Sequence, residues 1–330
     1  MSITVVLQQM IIIMILILTG MFLFRKKMLS EDTSRQLSVL IVNITNPAVL
    51  ICSAFDDTPK VSLGVLGIGA GVFLVSYMIL IAFAYLIPVI LKVPKAERYS
   101  YKMLTVFGNV GFIGIPLASA VLGPESLIFV SLNNLIYNVL VYTFGLSILK
   151  KASLQQHAAK DVSDIQNADA SRSGKSFGSQ ESILRKLVNA GTVSALLTII
   201  FYLGDFNVPV IISSTLTHAG RTTTFLSMLV LGVSVAQMAP KDIFSHPKLY
   251  LFTLLRQILL PIGFTLALGL FVKDALILNT AALMLAVPAG NMPLMLSKQL
   301  HVEESTISQG IILTTILSLV TIPVVTFFIR

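Results

Sequence analysis

Phe107-Gly108-Asn109-Val110-Gly111-Phe112-Ile113-Gly114-Ile115-Pro116-Leu117 is an apolar stretch interrupted by three glycines, an asparagine and a proline. Ala286-Val287-Pro288-Ala289-Gly290-Asn291-Met292-Pro293-Leu294, in the other half of the chain, repeats the pattern. Glycine loosens a helix and proline removes an N–H donor. In hydrocarbon every freed backbone group needs another partner, so such a break survives only where it is buried in protein or lines a cavity. A pair of breaks, one per half, is the sequence signature of a carrier's binding site at the middle of a bilayer.

The surrounding chain fits that setting. It is 55% hydrophobic and only 12% charged, with a mean hydropathy of +0.89. Apolar runs long enough to cross roughly 30 Å of hydrocarbon recur along its whole length. The net charge of +8 does not indicate a nucleic-acid partner, because Lys and Arg cluster between the apolar runs rather than along an amphipathic face. The single cysteine, Cys52, forms no intrachain disulfide. Met1 to Phe24 lacks a positive leading segment, and Arg25-Lys26-Lys27 follows the apolar run, so a retained first span is expected instead of a cleaved signal.

Ten spans are predicted at 5–24, 34–55, 63–91, 101–122, 127–149, 184–203, 209–237, 249–272, 275–297 and 307–329. Residues 150–186 are polar and separate a first five-helix repeat, 1–149, from a second, 187–330; they read as a solvated cytoplasmic linker. The basic residues Arg25, Lys26, Lys27, Arg35, Lys92, Lys95, Arg98, Lys102, Lys241, Lys248 and Lys298, with seven more in the linker, all fall on one side. Lys60, Lys273 and Arg330 fall on the other. The bias puts the linker inside and both termini outside a multi-pass cell-membrane protein. An odd number of spans per half makes the two halves an inverted repeat. Aligning Pro116 on Pro293 supports this, since it matches Ile115-Pro116-Leu117 with Met292-Pro293-Leu294 and pairs span four with span nine. Half-helix N-termini meeting there would present N–H groups and positive dipole ends to a shared cavity, which favours an anion.

These segments, together with Gly123-Pro124-Glu125, the Asn-rich fifth span and the Pro-Ala-Gly-Asn-Met-Pro run of span nine, resemble the auxin efflux carrier family. That family includes plant PIN auxin carriers and bacterial permeases assigned to malate, malonate and similar acids. The resemblance covers all ten spans. It implies an all-α membrane fold, an inverted five-plus-five repeat with broken, crossing spans four and nine, similar to bile-acid symporters and sodium/proton antiporters. Spans one, two, six and seven would form a scaffold that suggests a homodimer, and the other six a mobile, elevator-like transport domain. The linker is short, as in bacterial members. Plant members carry a charged pair on span three, which this chain lacks.

Asn109 and Asn291 stand beside the breaks, where amides can donate to a carboxylate, and Gly111, Gly114, Pro116, Pro288, Gly290 and Pro293 shape the broken backbone; all are expected at the substrate site. Asn134 and Asn138, four apart on one helical face with Asn133 nearby, either line the cavity or bond between helices. Tyr137 and Tyr142 read as packing residues, and Asn43, Asn46 and Pro47 as a structural kink. Arg221, near His218 and Thr222-Thr223-Thr224, is expected either to hold a substrate carboxylate in mid-membrane or to reach the outer interface. Arg256 reads as a weaker candidate that snorkels inward.

All fifteen acidic residues fall in loops or at span ends, so the buried carboxylate of a sodium/proton antiporter has no candidate. Neither an enzyme motif nor a metal-ligand cluster is present, and His157, His246 and His301 read as loop residues. No cofactor is expected; sodium or proton coupling stays open. The function expected is alternating-access transport of small organic anions, mono- or dicarboxylates such as malate and malonate and extending to auxin-like acids. The alternatives are a sodium-coupled symporter and, in another class, a non-transporting membrane receptor or scaffold.

Overall fold

The computed structural model describes residues 3–55, 60–165, 188–204, 206, 208–237 and 246–328, the side chains of 3 and 157–165 excepted. The described residues form helices and no strand. Seven helices are long and apolar enough to cross a membrane: α1 (Thr4–Arg25), α2 (Glu31–Cys52), α3 (Leu63–Ile90), α6 (Pro124–Gln156), α8 (Val210–Gln237), α9 (Pro247–Leu268) and α12 (Ser305–Phe328). Between them lie α4 (Arg98–Val106), α5 (Val110–Leu122), α7 (Ala190–Gly204), α10 (Ala275–Ala286) and α11 (Met292–Gln299). The last turns of α6 continue as helix to Ile165, so the polar segment after Lys150 begins helically. Its remainder, 166–187, lies outside the described residues.

The helices start where the chain supplies a cap. Ser30 accepts from the Thr33 N–H ahead of α2, Ser62 from Val65 ahead of α3, and Asp274 from Leu276 and Ile277 ahead of α10. Each satisfies a donor that the first helical turn leaves unpaired. The long apolar helices leave much of their surface exposed, as with Ile11, Ile15 and Phe22 on α1 and Leu74 and Met78 on α3. Apolar side chains facing outward in this number suit a lipid solvent.

Without a hydrophobic drive between helices in lipid, close backbone approach does the holding. α1 packs along α8, and Gly20 and Gly232 make the contact. A Cβ on Gly20 would run into the Leu229 carbonyl, and one on Gly232 would collide with the Ile17 carbonyl and lie 2.7 Å from the Met21 nitrogen. α7 packs against α2 and α6.

Among the described residues, four helices contain a five-residue π turn: Ile41–Thr45 in α2, Val110–Gly114 at the start of α5, Val141–Gly145 in α6 and Leu255–Leu259 in α9. A π turn widens the ring to i→i+5 and re-aims the side chains around it, a feature concentrated at functional sites.

A crossing of two broken helices and the cavity beside it

α4 ends at Val106 and α10 ends at Ala286, and in both cases the chain leaves helix for extended backbone. The cause is the sequence just past each end. Gly108 follows α4, and Pro288, which has no N–H to offer, follows α10 and biases Val287 to extended backbone. The two extended pieces then satisfy each other. Asn109 N–H donates to the Pro288 carbonyl at 2.7 Å, and Gly290 N–H donates to the Phe107 carbonyl at 2.9 Å. The result is an isolated antiparallel bridge between Gly108 and Ala289. Ala289 N–H donates to Thr314 Oγ1 of α12 at 3.1 Å. Gly290 is required here by proximity: a Cβ would sit 2.7 Å from the Gly108 oxygen and 3.0 Å from its carbonyl carbon.

Helix then resumes on both chains. Asn109 caps the restart of α5, its Oδ1 accepting from Phe112 N–H at 3.1 Å, and Asn291 precedes α11. Pro293 occupies the first turn of α11, where a missing N–H costs nothing, and Pro116 sits where the π turn of α5 gives way to regular α-helix. The helix starts themselves differ: α11 begins at Met292, one residue before Pro293, whereas α5 begins at Val110, six residues before Pro116. The asparagines fall out of step with the proline alignment because α5 carries the extra π turn Val110–Gly114 between Asn109 and Pro116.

Beside the crossing lies a cavity of about 470 Å³. Seven asparagines line it, Asn43, Asn46, Asn109, Asn134, Asn138, Asn189 and Asn291, with Gln299, Ser194, Tyr137 and Tyr142, and its described lining contains no Asp, Glu, Lys, Arg or His. Asn109 Nδ2 and Asn46 Oδ1 are buried without a hydrogen-bond partner among the described residues. An unpaired buried amide is costly, so both groups are primed for a ligand or water. The N-terminal N–H groups of α5 and α11 lie at the same place, each helix start adding about half a positive charge.

Of the residues expected at the site, Asn109, Gly111, Asn134, Asn138, Gly290 and Asn291 line this cavity. Asn134 and Asn138 also bond between and along helices: Asn134 Nδ2 donates to the Gly191 carbonyl of α7 at 3.3 Å, and Asn138 Nδ2 donates to the Asn134 carbonyl at 2.8 Å. Gly114, Pro116, Pro288 and Pro293 are absent from its lining; they build the break, Gly114 lying against Met284 of α10. Arg221 is elsewhere. It is exposed and lines a separate cavity of about 270 Å³ with Cys52, Phe55, Ser213, Ser214, Thr217 and His218. The two cavities border different stretches of α2: Val42, Asn43, Asn46, Pro47 and Leu50 line the larger one, Cys52 the smaller.

Several site residues were not expected. Asn43, Asn46 and Pro47 line the cavity, placed by the π turn in α2, and Tyr137 lines it while packing its ring edge-on against Phe107 at 5.7 Å. Arg256 is the largest departure. It is not snorkelling but 2% exposed, and it donates from Nε to the Thr105 carbonyl at 2.7 Å and from Nη1 to the Leu285 carbonyl. Its neighbour Gln257 reaches the Thr314 carbonyl at 3.2 Å. Two successive residues both point inward because the π turn Leu255–Leu259 holds them.

A bundle of apolar helices, two of them broken and crossed over a polar cavity, defines a multi-pass membrane transport protein. A family model described as "Membrane transport protein" matches residues 5–326. The chain belongs to this family, that of the auxin efflux carriers. A search of curated proteins gives no significant match.

Proposed function

We propose that this protein carries small organic anions across the cell membrane by alternating access around the crossing. The cargo class is mono- and dicarboxylates of the size of malate or malonate, extending to auxin-like acids. Ten spans arranged as two inverted five-helix repeats underlie the cycle, with α1, α2, α7 and α8 as scaffold and the remaining helices moving as an elevator. Two copies pair through the scaffold. The observation that carries this reading is the uncharged cavity of about 470 Å³, rimmed by amides and by two half-helix N-termini. Amide and backbone N–H groups hold a carboxylate through charge-assisted hydrogen bonds.

With the segment after α6 in the cytoplasm, the cavity, which reaches Asn189 and Gln299, faces inward. The smaller cavity with His218 and Arg221 lies toward the outer end of α8, where its positive charge gathers anions before they reach the crossing. Proteoliposomes loaded with labelled malate, malonate, lactate, succinate or indole-3-acetate test the proposal. Counterflow of at least one acid, abolished in Asn109→Ala and Asn291→Ala proteins that remain folded, is the expected result. Flux indifferent to both substitutions refutes the site.

A further inference from the structure

The first half-helices, α4 and α10, point their C-terminal ends at the crossing, where their last carbonyls have no partner within the helix. Each such end carries about half a negative charge, so two converging ends amount to roughly one. In hydrocarbon that charge needs a cation.

Arg256 supplies it from a third helix. Nε reaches the Thr105 carbonyl of α4 and Nη1 the Leu285 carbonyl of α10, so one guanidinium joins both ends. Among the described residues no carboxylate pairs with Arg256, whose guanidinium donates to main-chain carbonyls. Beside it remains a void of about 10 Å³, bordered by Ser76, Tyr77 and Asn133, room for about one water. Gly108 borders both this void and the large cavity, so the guanidinium and the cargo lie on opposite faces of one backbone crossing.

We infer that Arg256 is a resident cation, tethered between the C-terminal ends of the two half-helices where it balances their partial negative charge in place of a free ion, and that it makes anion transport by this protein independent of sodium. The inference rests on the transport reading above. Arg256 is a positioning residue: it fixes the two half-helix ends and thereby the crossing, and it does not touch the cargo. With the C-terminal ends neutralised, the two N-terminal ends facing the large cavity remain as about one positive charge for the substrate to balance.

The experiment pairs flux with thermal unfolding of purified protein. For the wild type, replacing sodium by choline leaves anion flux within about two-fold and the melting temperature within about 1 °C, because no sodium site contributes binding energy. Arg256→Ala opens a vacancy the size of ethylguanidinium; flux drops at least ten-fold, and ethylguanidinium but not choline raises the melting temperature by about 3 °C and restores flux at least about five-fold. Wild-type flux that collapses when sodium is withdrawn overturns the inference while leaving the transport reading intact. Rescue of Arg256→Ala by choline to the same extent, or the absence of any rescue in a folded Arg256→Ala protein, also overturns it. Should Arg256→Ala fail to fold, Arg256→Lys, which keeps the charge without the planar fork, takes its place: sodium-independent flux sustains the inference and sodium-dependent flux overturns it. If no anion moves in any protein, the transport reading fails, and the ethylguanidinium melting test still decides the resident cation.

Discussion

Replacing Gly290 by alanine puts a methyl group into the tightest backbone contact at the crossing. The new Cβ would stand 2.7 Å from the Gly108 oxygen, 3.0 Å from its carbonyl carbon and 3.3 Å from Asn109 Cα. All three are backbone atoms, so no side chain can swing aside. Relief requires the two extended segments to separate, which breaks the 2.7 Å bond from Asn109 N–H and the 2.9 Å bond to Phe107. Each buried hydrogen bond lost costs about 1–3 kcal/mol, so the two bonds amount to about 2–6 kcal/mol and a fall in melting temperature on the order of 10 °C. Gly111→Ala is the control. Its Cβ meets only Asn46 Nδ2, at 2.9 Å, a side-chain tip that can rotate, so the melting temperature should stay within about 2 °C. Differential scanning fluorimetry in detergent reads both, with proteoliposome flux measured alongside. A Gly290→Ala protein that melts and transports like wild type would refute the claim that this bridge holds the crossing together.

Asn109→Asp retains the acceptor for the Phe112 N–H but turns the unpaired Nδ2 donor into a buried carboxylate oxygen; as the ionised form it should lower stability by at least about 1 kcal/mol in thermal unfolding, and anion affinity, from concentration-dependent counterflow, should fall at least about 100-fold. Gln257→Leu removes the bond to the Thr314 carbonyl and should lower stability by about 1–3 kcal/mol in thermal unfolding. Gly232→Leu forces α1 from α8 and should destabilise by at least about 2 kcal/mol, visible as early melting and loss of monodisperse protein. Arg221→Ala should change affinity at the crossing less than about three-fold, because Arg221 lines the other cavity, while slowing entry from that side.

The breaks were legible because glycine, proline and asparagine announce them directly: the structure leaves helix within a residue or two of Gly108 and Pro288. That the two breaks bond to one another is a consequence of backbone saturation in hydrocarbon, which the sequence implies only once both segments are placed at one depth. The π turns were not legible. Nothing in Leu255-Arg256-Gln257-Ile258-Leu259 marks a widened helical ring, and on a regular helix Arg256 reads as a residue that extends toward water. Asn46 and Pro47 looked like a kink because proline in a helix usually is one; the neighbouring turn brings them to the cavity wall. Asn189 lay at the edge of a polar segment, where one more asparagine carries no signal, yet it caps α7 and faces the cavity.

The wall of amides has a consequence for acidity. Apart from two tyrosine phenols, which ordinarily ionise near pH 10, the described lining of the large cavity holds no side chain that gains or loses a proton. A protein whose binding chamber is built this way imposes no titration of its own between about pH 5 and pH 9. Affinity at the crossing, plotted against pH, should trace the dissociation curve of whichever acid is being bound, shifting along the axis when one acid is exchanged for another.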